Sequence, residues 1–170
     1  MNEAQFAEAI KKYQSPLLTI IYNMVYSWET ARDIAQDTFV KLWDFRNRLI
    51  TGKPSFTLLY RIAINLSIDH LRKKKPDRLE LIETIPQELA DTHDSKELRQ
   101  IILFCARQLK PKQQATFLLR EIEGFSFEEI GSILDISLSN VSSHLHLARK
   151  NIRRMLEAKF QLREENYYEL

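Results

Sequence analysis

The apolar residues at the start of the chain fall into two stripes with helical spacing, which predicts amphipathic helices. Pro16 lies between the two stripes. We therefore expect the first helix to stop before Pro16 and a new helix to restart there, with Ser15 as a possible N-cap and Pro16 in the first position. The first stripe consists of Phe6, Ala9, Ile10 and Tyr13, and the second consists of Leu17, Ile20, Ile21 and Met24.

Two more helices are predicted before the middle of the chain. Ser27 can cap the first of them, and Gly52 with Pro54 predicts the loop that follows it. The second is a long helix that begins at Phe56 and extends to residue 75, where Pro76 stops it. No stretch shows the strict alternation of a strand, and no internal repeat is present.

The C-terminal part of the chain has clear helix-start signals. Asp94 with Glu97, and Ser126 with Glu129, have the spacing of capping boxes, and Pro111 suits the first position of another helix. We predict an all-α fold in which two small helical domains are joined by an acidic linker, the second with a helix-turn-helix.

Charge is distributed unevenly along the chain. The whole protein of 170 residues has a formal net charge of +2, but residues 76–95 carry 1 Lys or Arg against 6 Asp and Glu. Residues 1–75 carry 12 against 7, and residues 96–160 carry 11 against 7. We interpret 76–95 as a flexible linker between domains at 1–75 and 96–160, with a tail at 161–170; a solvated loop within one domain is the alternative.

Composition excludes several classes of protein. With 44% hydrophobic and 28% charged residues, the chain is not a disordered one. A single cysteine, Cys105, cannot form an internal disulfide, and its apolar surroundings suggest core packing. We see no signal peptide, membrane span, glycine-rich phosphate loop or metal-ligand spacing among the 4 histidines. We therefore expect a cytoplasmic protein that is not an enzyme, with no cofactor, metal or catalytic residue.

The segment 127–145 is a candidate helix-turn-helix, a motif that places its second helix in the major groove of DNA. A three-residue turn at 135–137 separates the two helices, and Gly131 lies where they cross closely. Polar residues lie between the predicted core positions and can bond to bases or phosphates, and basic residues continue the helix. An ordinary helical pair with a solvated face is the alternative. The polar residues are Ser139, Asn140, Ser142, Ser143, His144 and His146, and the basic ones include Arg149, Lys150 and Arg153.

The long helix after Gly52 ends in a run of basic residues, which suits contact with a phosphate backbone. The preceding loop 51–55, together with Phe56 and Tyr60, could stack on an unpaired base or enclose it in a pocket. Basic residues at a helix C-terminus also complement the helix dipole, so this pattern alone leaves both interpretations open.

Four sequence motifs resemble those of extracytoplasmic-function sigma factors, a family of bacterial transcription initiation subunits, and they occur in the family's order. They lie at 31–39, 59–72, 109–114 and 127–150, so the resemblance covers residues 5–75 and 96–157 and leaves the linker unmatched. It implies that the first domain binds core RNA polymerase and the melted minus-ten element. It also implies that the second domain binds the minus-thirty-five element through the helix-turn-helix.

The resemblance also implies roles for individual residues. Asp33, Gln36 and Asp37 match the motif that docks on the polymerase clamp helices, and Arg120 matches a DNA-contacting residue ahead of the helix-turn-helix. The minus-ten residues would be Phe56, Tyr60, Arg61, Asn65, Arg72 and Lys73, and the minus-thirty-five residues would be Arg120, Ser139, Asn140, Ser142, Ser143, His144, His146, Arg149, Lys150 and Arg153. We expect an anti-sigma factor as a further partner, no membrane insertion, and a monomer when the protein is free.

The chain departs from the family pattern at several positions. Leu58 stands where the family usually has Trp, and Gln114 replaces a common Arg. Ser142, His144 and Leu147 replace residues that are commonly basic, which predicts weaker or differently specified binding to the minus-thirty-five element. The runner-up hypothesis is a helix-turn-helix regulator with a helical sensor domain, which would bind duplex DNA tightly without polymerase.

Overall fold

The structure is a computed structural model that describes residues 1–49, 56–73 and 95–167. Over these residues the regular structure is entirely helical, as predicted, and none of the helices is long and apolar enough to cross a membrane. The helices are α1 (Glu3–Val25), α2 (Trp28–Asp44), a 3-10 turn (Arg46–Arg48), α3 (Phe56–Lys73), α4 (Ser95–Arg107), α5 (Pro111–Phe117) with a π-helical turn (Leu118–Ile122), α6 (Phe127–Leu134) and α7 (Leu138–Tyr167).

The prediction of a helix break at Pro16 is wrong, because α1 runs without interruption from Glu3 to Val25 with Pro16 inside it. A proline in a helix interior costs about 3 kcal/mol or more, since it removes a backbone hydrogen bond and crowds the preceding turn. On the far side of Pro16, Leu17, Ile20 and Ile21 are completely buried. Each buried side chain of this size contributes about 1.5–3 kcal/mol, which is enough to offset the proline.

Helices α1, α2 and α3 pack against one another and form the N-terminal half of the molecule. The predicted cap of α2 is confirmed, since the Ser27 hydroxyl oxygen accepts a hydrogen bond from the Thr30 backbone N–H at 3.3 Å. The centre of this half is apolar and closed to solvent, with Leu42 of α2 and Leu59 of α3 fully buried.

Helices α4 to α7 form the C-terminal half, and their boundaries follow the sequence signals closely. Pro111 occupies the first turn of α5, and the capping box of Ser126 and Glu129 is formed with hydrogen bonds of 2.8 and 3.1 Å. The turn 135–137 links α6 to α7, as predicted. A Cβ added at Gly131 would lie 3.0 Å from the Ile136 carbonyl oxygen, which confirms that only a small residue fits there.

Several predicted features fall outside the described residues. These are the loop 51–55, the linker 76–95 up to residue 94, the end of the long helix at 74–75, and the Asp94 half of the first capping box. At the other end of the chain, α7 continues to Tyr167 and therefore passes the boundary predicted at residue 160.

The two halves pack against each other. Helix α3 contacts α5 and α6, and α1 contacts α4 and α5. The buried apolar side chains of both halves form one continuous cluster. This packing therefore determines which candidate site residues are exposed to solvent and which are covered by the other half.

Candidate nucleic-acid and polymerase interfaces

The predicted polymerase-binding residues lie on the outside of α2. Asp33, Gln36 and Asp37 are exposed, whereas their neighbours Ile34 and Thr38 are buried. The buried neighbours fix the rotation of the helix, and the Thr38 hydroxyl donates to the Ile34 carbonyl oxygen at 2.7 Å. The three residues therefore share an open, acidic edge of α2.

An apolar groove of about 810 Å³ between α1 and α2 adjoins this acidic edge, and Gln36 is part of its wall. We call it the α1–α2 groove. Val40 in the groove is exposed by 52% although it is apolar. The sequence analysis predicted the apolar stripes of the first helix but not this groove, because a groove depends on how two helices pack. The other lining residues are Glu3, Phe6, Ile10, Gln14, Leu18, Arg32, Ala35, Phe39 and Trp43.

The predicted minus-ten residues are divided between a covered and an open part of α3. Asn65, Arg72 and Lys73 are exposed. In contrast, Tyr60 is buried and Phe56 is half-buried. The structure thus presents only the C-terminal part of this face to solvent.

The cover over α3 comes from the C-terminal half. The Phe125 ring lies edge-on to the Tyr60 ring at 5.0 Å between centroids and 5.7 Å from the Phe56 ring. The Arg61 guanidinium donates to the Ser132 carbonyl oxygen, from Nε at 3.0 Å and also from Nη2. We call this set of contacts the α3 cover, and no base could stack on these rings while it is in place.

Burial within the α3 cover changes the acidity of two groups. The Tyr60 hydroxyl lies 3.5 Å from a carboxylate oxygen of Glu123. Burial raises the pKa of Tyr60, and the negative charge of Glu123 raises it further. Burial also raises the pKa of the Glu123 carboxyl group. Both shifts disfavour charge at this contact, as expected where water is partly excluded.

The recognition helix α7 presents most of its predicted DNA-binding residues to solvent. Val141 and Leu145 are buried, which confirms their predicted core positions. The Ser137 hydroxyl caps the helix by accepting from the Asn140 backbone N–H at 3.2 Å, so Asn140 is not the cap. The exposed residues are Ser139, Asn140, Ser142, Ser143, His146, Arg149, Lys150 and Arg153.

His144 differs from its neighbours on α7 because it is only half exposed. Its Nδ1 is buried and has no hydrogen-bond partner among the described residues. Burial lowers the pKa of the imidazole, and the positive charge of Lys112 lowers it further. A neutral His144 therefore adds no charge attraction to DNA.

Two predicted phosphate-binding arginines already have partners within the protein. Arg120 donates from Nη1 to the Phe125 carbonyl oxygen at 2.8 Å and lies over the Phe127 ring. Arg149 forms an ion pair with Glu121, with its Nε 3.0 Å from the carboxylate oxygen. The pair is solvent-exposed, and such pairs contribute about 0–1 kcal/mol, so DNA could displace Glu121 easily.

Two family models match this chain, one in each half. The model for Sigma-70 region 2 matches residues 9–76, and the model for Sigma-70 region 4 matches residues 99–152. These ranges contain α3 with its candidate minus-ten face and the helix-turn-helix, respectively.

Relatives match across both halves. The ECF RNA polymerase sigma factor SigW of Bacillus subtilis is 32% identical over 169 residues, which cover 91% of this chain and 90% of SigW. The RNA polymerase sigma factor YlaC of the same species is 31% identical over 155 residues, covering 85% of this chain and 87% of YlaC.

Solved structures share the fold. The sigma factor RpoE, in complex with the anti-sigma factor NepR from Bartonella quintana, matches with a TM-score of 0.67 at 20% identity, covering 89% of this chain and 96% of RpoE. CnrH, in complex with the cytosolic domain of CnrY, matches with a TM-score of 0.64 at 22% identity, covering 92% of this chain and 90% of CnrH. The match to SigW over nine-tenths of both chains, together with the two family models, shows that the chain belongs to the extracytoplasmic-function family of RNA polymerase sigma factors, which direct RNA polymerase to promoters in transcription initiation.

Proposed function

We propose that this sigma factor docks on core RNA polymerase through Asp33, Gln36 and Asp37. The observation that carries the proposal is that these residues form an open acidic edge beside the α1–α2 groove. An acidic edge next to an apolar groove suits a basic amphipathic helix, because charge steers the partner and the groove accepts its apolar side chains. The match to Sigma-70 region 2 over residues 9–76 supports this assignment.

We further propose that the two halves act as separate DNA-binding domains, at 1–75 and 96–160, joined by the linker 76–95. The α3 face reads the melted minus-ten element, and the exposed polar face of α7 reads the minus-thirty-five element in the major groove. Phe56, Tyr60 and Arg61 lie under the α3 cover, so they reach DNA only after the halves move apart.

The proposed partners are core RNA polymerase, promoter DNA and an anti-sigma factor, in the cytoplasm of a bacterium. A sigma factor of the same fold, RpoE of Bartonella quintana, was solved as a complex with the anti-sigma factor NepR, which supports the last partner. The function needs no cofactor or catalytic group from this chain. We expect the free protein to be a monomer.

A pull-down with core RNA polymerase followed by run-off transcription on genomic fragments tests this function. We expect the protein to be retained by the core enzyme and to start transcription at a defined set of fragments. A protein that binds those fragments tightly on its own, and that core polymerase does not retain, would instead be a regulator of the runner-up class.

Asn140 and Arg149 should contribute to DNA binding in different ways. We expect Asn140→Ala to change the preference among minus-thirty-five variants, because a good base contact discriminates by about 1–3 kcal/mol. We expect Arg149→Ala to weaken binding to every sequence and to lower the salt slope by about 1, as the loss of one phosphate contact does. The measurement is the affinity of the holoenzyme for selected fragments and their point variants at several salt concentrations.

Gln100→Ala is the control for this comparison, since Gln100 is exposed on α4 and has no proposed DNA contact. It should leave both affinity and preference unchanged. If Asn140→Ala weakens binding to all sequences equally, α7 does not read bases through this residue.

A further inference from the structure

The two halves also meet at the C-terminal end of α1, away from the α3 cover. There, Gln114 of α5 and Arg107 at the end of α4 contact the last turn of α1 and the residue after it. We call this set of contacts the α1 corner. Neither Gln114 nor Arg107 is among the proposed polymerase-binding or DNA-binding residues, so the corner has no role yet in the proposed function.

Gln114 caps α1 from the other half of the molecule. Its side-chain Nε2 donates to the carbonyl oxygen of Met24 at 3.1 Å and to that of Asn23 at 3.3 Å. Carbonyl groups in the last turn of a helix lack partners within the helix, so an outside donor satisfies them. Gln114 is completely buried. A buried donor or acceptor without a partner costs free energy, so replacing the Gln114 amide would destabilise the closed arrangement.

Arg107 provides a second contact at the α1 corner. Its guanidinium carbon lies 3.3 Å from the centre of the Tyr26 ring. The Tyr26 ring stacks in turn on Tyr22 at 5.3 Å, and Tyr22 stacks on Trp28 at 4.2 Å. A guanidinium over an aromatic face is attracted by the ring quadrupole, and the attraction is modest here because Tyr26 is 54% exposed to water. The stack therefore ties α4 to the end of α1 and the start of α2.

The backbone at Tyr26 is held in an unusual conformation that serves this stack. Its φ of 53° and ψ of 38° lie in the left-handed region, which is unfavourable for a residue with a side chain. The Tyr26 N–H still bonds to the Tyr22 carbonyl oxygen at 2.8 Å and closes the last turn of α1. This conformation ends α1 where the Tyr26 ring can lie between Tyr22 and Arg107.

The contact of Arg107 is incomplete, which limits its strength. Its Nε is buried and has no hydrogen-bond partner among the residues that the structure describes. On opening, water would satisfy this donor, so part of the lost contact is regained. The hydrogen bonds of Gln114 therefore favour one packing of the two halves. The incomplete contact of Arg107 keeps the free energy of opening small.

We propose that Gln114 and Arg107 form an intramolecular latch that holds the two halves together in the free protein and keeps the α3 cover closed. Binding to core polymerase and promoter DNA requires release of the latch. The proposal rests on the proposed function only where it identifies the α3 face as the minus-ten reader. The closed state itself can be measured in the free chain without polymerase.

Small-angle X-ray scattering on the wild-type protein is the first test. A compact chain of this length has a radius of gyration of about 16 Å, whereas two separated halves would exceed it clearly. We expect the free wild-type protein to show the compact value. A clearly larger radius would overturn the proposal without any mutation, so misfolding of a variant cannot obscure this result.

Hydrogen exchange on two variants is the second test. Gln114→Glu keeps the shape of the side chain but replaces the donor with a carboxylate facing carbonyl oxygens. Arg107→Ala removes the guanidinium that lies over the Tyr26 ring. We expect each variant to remain helical by circular dichroism and to have a larger radius of gyration than the wild type. Amide hydrogen exchange in α3 should become faster by about fivefold or more, since the loss of one buried contact shifts the equilibrium between closed and open halves by that order.

Gln100→Glu and Lys11→Ala are the matched controls, because both residues are exposed and outside the contacts between the halves. They should behave as wild type. Arg107→Ala should also bind core polymerase at least as well as wild type. If folded Arg107→Ala keeps the wild-type radius and α3 exchange, the latch does not exist. Loss of core binding by all variants and wild type alike would instead contradict the proposed function.

Discussion

Replacing Gln36 and Asp37 together with lysine should abolish binding to core RNA polymerase while the protein stays folded. Both side chains are exposed on α2, so the fold loses no buried contact. The change turns an acidic edge into a basic one beside the α1–α2 groove. Placing like charges against a basic partner costs several kcal/mol, which corresponds to a loss of affinity of at least about a hundredfold.

The measurement is the dissociation constant for core polymerase, with circular dichroism to check folding. The control is Gln100→Lys combined with Glu157→Lys, which adds the same positive charge at exposed positions of the C-terminal half. It should bind normally, which would exclude an effect of net charge alone. Wild-type affinity in the Gln36 and Asp37 variant would refute the proposed docking site.

Gly131→Val should disrupt the helix-turn-helix and remove sequence-specific DNA binding. A Cβ at this position would meet the Ile136 carbonyl oxygen at 3.0 Å and the Leu138 Cδ2 at 3.5 Å, before the two methyl groups of valine are added. The Ile136 N–H also bonds to the Gly131 carbonyl oxygen at 3.0 Å, so the turn cannot move away freely. We expect the free energy of unfolding to fall by about 1–3 kcal/mol, as overpacking of a close contact does.

Chemical denaturation measures this loss, and holoenzyme binding to promoter fragments measures its effect on recognition. Ser132→Val is the control, because Ser132 is the exposed neighbour in the same helix and receives the same residue. It shows what a valine does at an exposed position of this helix; helix propensity by itself favours valine over glycine slightly, so a loss of stability at Gly131 comes from packing. Equal stability of the two variants would show that the crossing at Gly131 is not tight.

Local signals predicted the helix boundaries well wherever a short-range contact sets them. Ser27, Ser126 and Pro111 stand at helix starts in the structure as expected. These signals work because a capping side chain bonds to a backbone group two or three residues away, whatever the rest of the chain does. The prediction at Pro16 failed for the opposite reason. The two stripes on either side of it share one face, and burial of that face against α2 and α3 outweighs the local preference.

The sequence by itself determined the helices, apart from the break wrongly expected at Pro16, and the turn of the helix-turn-helix, because periodicity and capping act over a few residues. The tertiary structure alone decided which predicted site residues are covered. Arg61 bonds to Ser132, 71 positions away, and Gln114 bonds to Met24, 90 positions away. Local spacing carries no signal for such contacts, since they depend on how two separate helical surfaces fit together. For that reason a face that the sequence predicts to be open for DNA is closed in the folded chain.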